Sequence, residues 1–333
     1  MINKIKKLNK YTSIRAYTMI EVSLLIIVLG ILVTGIYQGT NIYRETMISR
    51  SQSLTQNSIL GRTSNILLWY ETTLSSSLVS TQRKDSQPIS QWFDNNQKSV
   101  DKNNASASQK IDNTRIDYEA SSGFSSSGPL YIEKGINHLP TLRFKNTSNS
   151  SQFLVVNSIK LVASNLNIFL VMQFKNYSSN AFIFDRICTK TNGSVTVIES
   201  EAVNLCRPVI SANISSQNLI NFTLTNQSGT LNSTTNNLSN IVAKNMPYLI
   251  QFERDFNQTL KFYLNGKLLS SGVDNLGQFD SLPLKIGRHA SLSSVDSEFD
   301  LSEIVIIEDK IDNDRKKEIE NYFSKKYSIR LNQ

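Results

Sequence analysis

The sequence predicts a mainly β protein, in which a long N-terminal helix precedes an antiparallel β-sandwich and a short helix closes the chain. Three observations favour this fold. Residues 22–43 are almost entirely apolar or small, and no proline occurs before Pro88. From residue 89 onward, short apolar runs alternate with turns rich in serine and asparagine, as in antiparallel sheets. After Asp312, a charged segment has the spacing of an amphipathic helix.

The first 16 residues form a basic leader without a single acidic residue. They contribute much of the formal charge, which falls from +8 for the whole chain to +3 for residues 17–333. Positive flanks of an apolar helix stay on the cytoplasmic side of a membrane. The charge therefore indicates topology, and nucleic acid is not an expected partner.

The apolar stretch has the length of a membrane span. We predict that residues 20–43 cross the bilayer, because residues 22–43 alone would extend about 33 Å as a helix. Glu21 lies at its start, where an ionised side chain costs about 2.5–3.5 kcal/mol on insertion scales. Two explanations remain open: Glu21 of a simple signal anchor lies at the headgroup level, or Glu21 has a partner.

Residues 12–43 resemble the prepilin-type N-terminal segment of type IV pilins and pseudopilins. Residues 17–21 read Tyr-Thr-Met-Ile-Glu, similar to the Phe-Thr-Leu-Ile-Glu of that family, with Ala16 where the family normally has glycine. The resemblance implies that prepilin peptidase cuts between Ala16 and Tyr17 and that Tyr17 is methylated. It also implies that Glu21 pairs with the N-terminal amine of a neighbouring subunit.

The same resemblance implies a location and partners. The mature chain would be a single-pass protein of the bacterial inner membrane, with its C-terminal domain periplasmic or displayed outside the cell on a filament. Its partners would be other pilin or pseudopilin subunits of a type IV pilus or a type II secretion system. The alternative is a membrane-anchored, lectin-like binding protein that does not polymerise.

The chain after the leader is predicted in three parts. A pilin-like helix spans 17–78, a serine-rich linker spans 79–88, and a β domain spans 89–333, with Asn265-Gly266 as its strongest hairpin signal. The last helix is expected to begin at Asp312 and to close one edge of the sandwich. The best strands are predicted at 141–144, 153–156, 168–175, 181–185, 195–199, 218–224, 248–254, 260–264, 284–286 and 300–308.

Residues 89–330 resemble the concanavalin A-like lectin/glucanase, or laminin-G-like, jelly roll. The segments that carry this resemblance are 91–94, 139–144, 248–253, 261–267, 284–288, 301–308 and 319–329. The resemblance implies adhesion through a glycan or protein ligand, in some members with calcium at the rim. No other cofactor is expected. Aspartates that could serve such a rim, but are more typical of turns, are Asp274, Asp280, Asp296 and Asp312.

One set of carboxylates resembles the catalytic strand of jelly-roll glycoside hydrolases. Glu298 and Asp300 would share one face of a strand, and a bulge would bring Glu303 alongside. Glu298 would then be the nucleophile and Glu303 the acid/base. We expect no enzyme activity, because such clefts carry aromatic residues that stack on sugar rings, and the only two tryptophans, Trp69 and Trp92, precede the main strands.

Two cysteines, Cys188 and Cys206, are the only ones in the chain. In an exported domain a disulfide between them would stabilise the fold by about 3 kcal/mol. The alternative is a pair of buried free thiols. With two histidines and no cysteine cluster, the sequence shows no zinc-binding pattern.

Overall fold

The computed structural model describes most of the chain after the leader. The described residues are 17–107, 115–117, 125–147, 150–159, 165–177, 181–186, 190–192, 195–198, 209–214, 219–225, 231–237, 243–257, 259–273, 282–287 and 297–332. Ala16, Cys188, Cys206 and three of the rim aspartates (Asp274, Asp280 and Asp296) lie outside them. The chain divides into two compact units, one ending at Thr46 and one comprising Met47–Gln333.

Helix α1 spans Met19–Gln56. Thr18, just before the helix, is its capping residue. The Thr18 hydroxyl accepts a hydrogen bond from the Glu21 amide at 3.2 Å, and the Glu21 carboxylate accepts one from the Thr18 amide at 2.8 Å. This reciprocal pair is a capping box. Near Gln56 the chain meets Asn57 and Ser58, residue types that compete with helical backbone bonds, and the helix ends.

The helix is therefore shorter than the 17–78 predicted from the sequence. A single 3₁₀ turn, Ile59–Arg62, follows it, and residues 66–71 form a strand. Almost every residue of that strand is buried, on both faces, whereas an amphipathic helix would bury only one stripe of residues. Its pairing partner lies more than 200 residues further along the chain, so the local sequence could not indicate it.

The β-rich unit contains 22 strands and one further helix among the described residues. The first eleven strands are β1 Ile66–Glu71, β2 Gln87–Pro88, β3 Gln91–Trp92, β4 Ala105–Ser106, β5 Arg115–Asp117, β6 Ser125–Ser127, β7 Leu130–Ile132, β8 Thr141–Asn146, β9 Ser150–Gln152, β10 Leu154–Ile159 and β11 Leu166–Tyr177. The others are β12 Ala181–Arg186, β13 Lys190–Asn192, β14 Val195–Ile198, β15 Val209–Ile214, β16 Leu219–Thr225, β17 Leu231–Asn237, β18 Pro247–Arg254, β19 Thr259–Leu264, β20 Lys267–Val273, β21 Leu282–Ile286 and β22 Ser297–Ile307. Helix α2 spans Asn313–Tyr327.

Two large sheets form a sandwich, as the sequence predicted. The first has the order β2-β7-β8-β22-β11-β18-β19-β20, with β1 also paired to β22, and the second has the order β17-β16-β15-β12-β21-β10-β4-β3. All pairings within these two sheets are antiparallel. Two small groups, β13-β14-β5 and β6-β9, include parallel pairs.

Strand β22 is the centre of the first sheet. Its first half pairs with β8, its second half pairs with β1 on the same side, and β11 runs along its other side. The strands that the sequence predicted over 168–175, 248–254 and 300–308 are thus neighbours or near neighbours in one sheet. The predicted hairpin is confirmed, because Asn265 and Gly266 join β19 to β20 with φ of 51° and 82°.

The apolar core lies between the two sheets. It includes stacked aromatic pairs, such as Tyr70 with Trp92 at 5.0 Å between ring centroids and Phe144 with Phe299 at 5.2 Å. A second apolar cluster lies on the outer face of the first sheet, where α2 packs. The C-terminal helix therefore covers a face of the sandwich, whereas the sequence suggested that it would close an edge.

Residues 79–88, expected to link two domains, lie inside the compact unit. They contain a 3₁₀ turn, Ser80–Gln82, and strand β2, which pairs with β7. The β-rich unit also begins earlier than expected, at Met47, because β1 and the last turns of α1 belong to it. Met47, Ile48 and Leu54 pack against the outer apolar cluster, so the protein uses the end of α1 to cover the sheet.

Candidate functional site

The N-terminal segment presents Tyr17 and Glu21 at the start of α1. Tyr17 is 83% exposed. One Glu21 oxygen, Oε2, accepts hydrogen bonds from the amide and the hydroxyl of Thr18 at 2.8 and 3.0 Å. No described residue donates to its other oxygen. Glu21 therefore has a local role in helix capping that the sequence analysis did not identify, although the Thr-x-x-Glu pattern signals it.

The first half of α1 is apolar on all sides and exposed. The exposed apolar side chains include Ile20, Val22, Leu24, Leu25, Ile26, Ile27, Val28, Leu29, Ile31, Leu32, Val33, Ile36, Ile42 and Tyr43. Within the described part of the chain, α1 is the one helix long and apolar enough to cross a membrane by length and composition. The helix contains residues 20–43, the segment that the sequence predicts to span the bilayer.

Glu298, Asp300 and Glu303 lie on β22. The pairing of β22 with β11 contains a bulge between Leu301 and Glu303. The inward-facing side chains of β22, Phe299, Leu301, Ile304 and Ile306, belong to the core between the sheets. The three carboxylates therefore share the outer face of the first sheet, because the bulge shifts the alternation by one residue.

Asp300 is held by an arginine on the neighbouring strand. Its carboxylate is fully buried and accepts from Nε and Nη2 of Arg143 at 2.7 and 3.0 Å, and Lys175 Nζ lies 3.6 Å from it. Glu298 is 3.6 Å from the same guanidinium and is partly exposed. Asp300 raises the pKa of Arg143 through this hydrogen bond, and Glu298 adds to the shift. Asp300 and Glu298 thus both interact with the guanidinium of Arg143.

Glu303 lies in a different environment, beneath α2. One of its oxygens accepts from Trp69 Nε1 at 2.8 Å and from the Tyr322 hydroxyl at 2.7 Å. The other accepts from the Tyr327 hydroxyl and from Lys326 Nζ, both at 2.8 Å. The side chain is completely buried, and protein donors engage both of its oxygens. A catalytic acid/base residue would instead need an oxygen that can exchange a proton with a substrate.

Lys326 joins Glu303 to a second buried carboxylate, Glu71 on β1. Its ammonium lies 3.0 Å from Glu71 and 2.8 Å from Glu303, and all three side chains are inaccessible to water. The donors that also hold Glu71 are the amide and hydroxyl of Thr73, the amide of Leu74 and the hydroxyl of Ser77. We call Glu71, Glu303, Lys326 and the two tyrosines, Tyr322 and Tyr327, the buried carboxylate network.

The network perturbs the ionisation of its members. Burial alone would raise the pKa of Glu71, but Lys326 and the hydrogen bonds lower it below the ordinary 4.5. Burial alone would lower the pKa of Lys326, but Glu303 and Glu71 raise it above the ordinary 10.5. Burial, with the Glu303 charge, raises the pKa of Tyr322 and Tyr327 well above 10.0. Both shifts favour the charged forms, the Glu71 carboxylate and the Lys326 ammonium, at neutral pH.

An open pocket of about 320 Å³ lies in the β-rich unit, beside the network. Five segments form it: the end of α1, the loop after β1, the turn that follows Leu78, strand β7, and Pro140 just before β8. Its polar lining consists of Gln52, Thr72, Thr73, Ser80, Arg83 and Tyr131. The sequence did not indicate this pocket, because its residues come from five separate segments with no motif in common.

The remaining candidate residues offer no metal site in the described part of the chain. No group of three or more histidine, cysteine, aspartate or glutamate side chains there could hold a metal ion. Asp312, considered as a calcium ligand, instead accepts from the Arg315 amide at 2.8 Å and caps α2. The cap predicted from the sequence at this residue is thus confirmed.

Comparisons with known proteins give structural likeness only. No protein-family model matches the sequence, and no curated protein matches it. Among solved structures, the binding domain of Paraclostridial Mosquitocidal Protein 1 is 10% identical with a TM-score of 0.49, covering 78% of this chain and 52% of that one. The botulinum neurotoxin serotype D binding domain is 10% identical with a TM-score of 0.46, covering 77% and 50%.

The botulinum neurotoxin serotype G binding domain is 14% identical with a TM-score of 0.41, covering 56% of this chain and 43% of that one. This chain thus spans about half the length of the first structures that it matches. At this identity and score, the matches assign neither a family nor a ligand to the chain.

Proposed function

We propose that this protein is a pilin-like or pseudopilin-like subunit that holds a β-sandwich binding domain outside the bacterial inner membrane. Prepilin peptidase would remove residues 1–16, the helix from Tyr17 would enter a bundle of similar helices, and the sandwich would serve adhesion or ligand binding. The observation that carries the proposal is the exposed apolar surface of the first half of α1, in a chain that continues into a separate folded unit.

That exposed surface needs a partner. Burying a large aliphatic side chain stabilises a protein by about 1.5–3 kcal/mol relative to leaving it exposed. Residues 20–43 contain more than a dozen exposed aliphatic side chains. Surface helices of globular proteins hide an apolar stripe and present a polar face, whereas a helix apolar all round is buried in protein or lipid. A membrane before assembly and a helical bundle after it would both cover this helix.

The capped start of α1 supports the cleavage site. The helix begins at Met19, so a cut after Ala16 would leave Tyr17 free in front of the capping residue Thr18. The Glu21 carboxylate uses one oxygen for the cap. Its other oxygen is available to a cation from a neighbouring subunit. After cleavage, the new amine at Tyr17 of that subunit would be such a cation.

A second function is favoured by the same capping box. If the cap is the whole role of Glu21, the protein is a membrane-anchored binding protein that does not polymerise. The two functions differ in what the negative charge of Glu21 does, since glutamine can replace glutamate in a capping box but cannot form an ion pair. This difference makes the variant Glu21→Gln the informative one.

The test compares four forms of the full-length protein in the producing cell: unaltered, Glu21→Gln, Glu21→Val and the control Glu45→Gln. Glu45 is an exposed glutamate of the same helix outside the apolar stretch. Membrane fractionation measures anchoring, and chemical cross-linking measures assembly. We expect all four in the membrane, with cross-linked multimers for the unaltered protein and Glu45→Gln only.

Each other outcome is decisive. Multimers of Glu21→Gln equal to those of the unaltered protein would contradict the pairing role. An unaltered protein that is in the membrane but forms no multimers would leave the non-polymerising anchor. An unaltered protein in the soluble fraction would contradict both functions.

We further propose that the sandwich is not a glycoside hydrolase. Asp300 is neutralised by Arg143, and both oxygens of Glu303 are engaged by protein donors beneath α2. Purified full-length protein should release no sugar from β-glucans above the background of a Glu298→Gln variant. Release that disappears in Glu298→Gln would overturn this proposal.

A further inference from the structure

We propose that the pocket beside the buried carboxylate network binds a small acidic sugar, that is, a polyhydroxy ligand with one carboxylate. This inference rests on the binding role proposed above and names a ligand class for it. Three properties of the pocket carry it: its single charge, the hydrogen-bonding capacity that its side chains have left, and its apolar wall.

The charge of the pocket is a lone guanidinium. Arg83 is the one ionisable cation among the lining residues, and no acidic residue lines the pocket. Its Nε is buried without an acceptor, and no described carboxylate forms an ion pair with the side chain. The acid nearest in sequence, Asp85, accepts instead from the Glu133 amide at 2.9 Å. A carboxylate on a ligand would supply the missing counter-charge, in a bidentate geometry that arginine favours.

Three polar side chains around Arg83 already donate to other groups of the protein. Thr72 donates its hydroxyl to the Pro140 carbonyl at 2.6 Å, and Thr73 donates its hydroxyl to Glu71 at 2.5 Å. Gln52 donates through Nε2 to the Thr73 carbonyl at 2.8 Å. The two threonine hydroxyls and the amide oxygen of Gln52 still offer oxygen lone pairs, so these three atoms require a ligand that donates.

This pattern distinguishes a sugar acid from a simple anion. Inorganic phosphate presents mainly acceptor oxygens, which would suit Arg83 but would face the hydroxyl oxygens of Thr72 and Thr73 without donors to offer them. A sugar carries a ring of hydroxyl donors, and its carboxylate adds the anion. The ligand that satisfies both sets of groups therefore combines a carboxylate with several hydroxyls.

The size and the apolar wall agree with a single sugar unit. The pocket volume of about 320 Å³ lies at the small end of ligand pockets. Ile48, Pro140 and the largely buried Tyr131 supply apolar surface for the CH face of a sugar ring. All lining residues belong to the unit Met47–Gln333, so the site needs no second unit to be complete.

The test is isothermal titration of detergent-solubilised full-length protein with glucuronic acid, glucose, acetate and inorganic phosphate. We expect glucuronic acid to bind at least about tenfold more tightly than each of the others, because only it meets both the charge and the acceptors. Arg83→Gln should weaken glucuronic acid binding at least about tenfold. The matched control, Lys84→Gln, removes the same charge from an exposed neighbour outside the pocket and should leave binding unchanged.

A second variant and a stability check keep the outcome clear. Gln52→Leu, which removes one acceptor and retains the charge, should weaken glucuronic acid and leave acetate unaffected. Thermal unfolding of each variant shows that the fold is kept. No binding of glucuronic acid, equal binding of glucose, tighter binding of phosphate, or unaltered affinity of Arg83→Gln would each overturn the inference. Failure here would leave membrane anchoring and assembly intact, whereas failure of the proposed function would appear in those two measurements.

Discussion

Replacing Lys326 by methionine removes the one ammonium that lies between two buried carboxylates. The side chain keeps its length and apolar stem, so the main change is the loss of the charge at 3.0 Å from Glu71 and 2.8 Å from Glu303. All three side chains are inaccessible to water, so neither carboxylate can recover its hydration without local opening. Lys326→Met therefore isolates the contribution of the cation to the network.

The expected loss follows from this burial. Removing one partner of a buried ion pair costs about 3–5 kcal/mol, because the charge left behind is uncompensated. Hydrogen-bond donors still surround both carboxylates after the substitution, which keeps the loss within this range. For a folded unit of this size, a loss of 3–5 kcal/mol lowers the unfolding temperature by roughly 6–20 °C.

The assay is thermal unfolding of the full-length protein followed by tryptophan fluorescence. Both tryptophans, Trp69 and Trp92, are buried in the β-rich unit, so the signal reports the unfolding of that unit. The matched control is Lys325→Met, which removes an exposed lysine from the adjacent position of α2. We expect Lys326→Met to unfold well below this control, and the double variant Lys326→Met/Glu303→Gln to regain part of the difference. If Lys326→Met unfolds within about 2 °C of the control, the reasoning is refuted.

Three further predictions concern pH, the α2 cap and the hairpin. Because folding lowers the pKa of Glu71, its carboxylate stabilises the fold above about pH 4.5, and this stabilisation is lost as pH falls through the folded-state pKa. Because folding raises the pKa of Lys326, its ammonium stabilises the fold below about pH 10.5, and this stabilisation is lost as pH rises through the folded-state pKa. Unfolding temperatures in a pH series should thus form a plateau between these limits, and a maximum outside it would contradict the assignment. Asp312→Ala should cost about 1 kcal/mol by denaturant unfolding through loss of the α2 cap, whereas Asp312→Asn should cost much less. Gly266→Val should cost about 1–3 kcal/mol because valine resists a φ of 82°, and an unchanged midpoint would argue against this turn.

Local patterns in the sequence predicted the elements whose cause is local. The Asn265-Gly266 turn and the Asp312 cap each depend on neighbouring residues, and both appear where the sequence indicated. The apolar stretch 20–43 is helical as predicted, although α1 ends at Gln56 and not at residue 78. The amphipathic spacing after Asp312 also predicted a helix with one buried face. Its inclusion of Lys326 was the available signal for the network, because a lysine among buried apolar positions must have a buried counter-charge.

Elements with a distant cause were not predictable in this way. The run 66–71 fits a helical stripe as well as a strand, and only its pairing with β22 decides between them. Glu71 looks like an ordinary charged residue at the end of that run, since its partner Lys326 is 255 positions away. Strands β2, β3 and β4 have two residues each, which is too short for a periodic pattern. The pocket combines residues from α1, β7 and three connecting segments, so its existence depends on the completed fold.

The most direct test of the pilin-like function is intact-mass spectrometry of the protein extracted from the membrane of its own host. The proposal predicts a chain that begins at Tyr17, one methyl group heavier than the unmodified residues 17–333, with Glu21 as its fifth residue. A chain that still begins at Met1 in the membrane would contradict cleavage after Ala16 and, with it, assembly through a new amine at Tyr17.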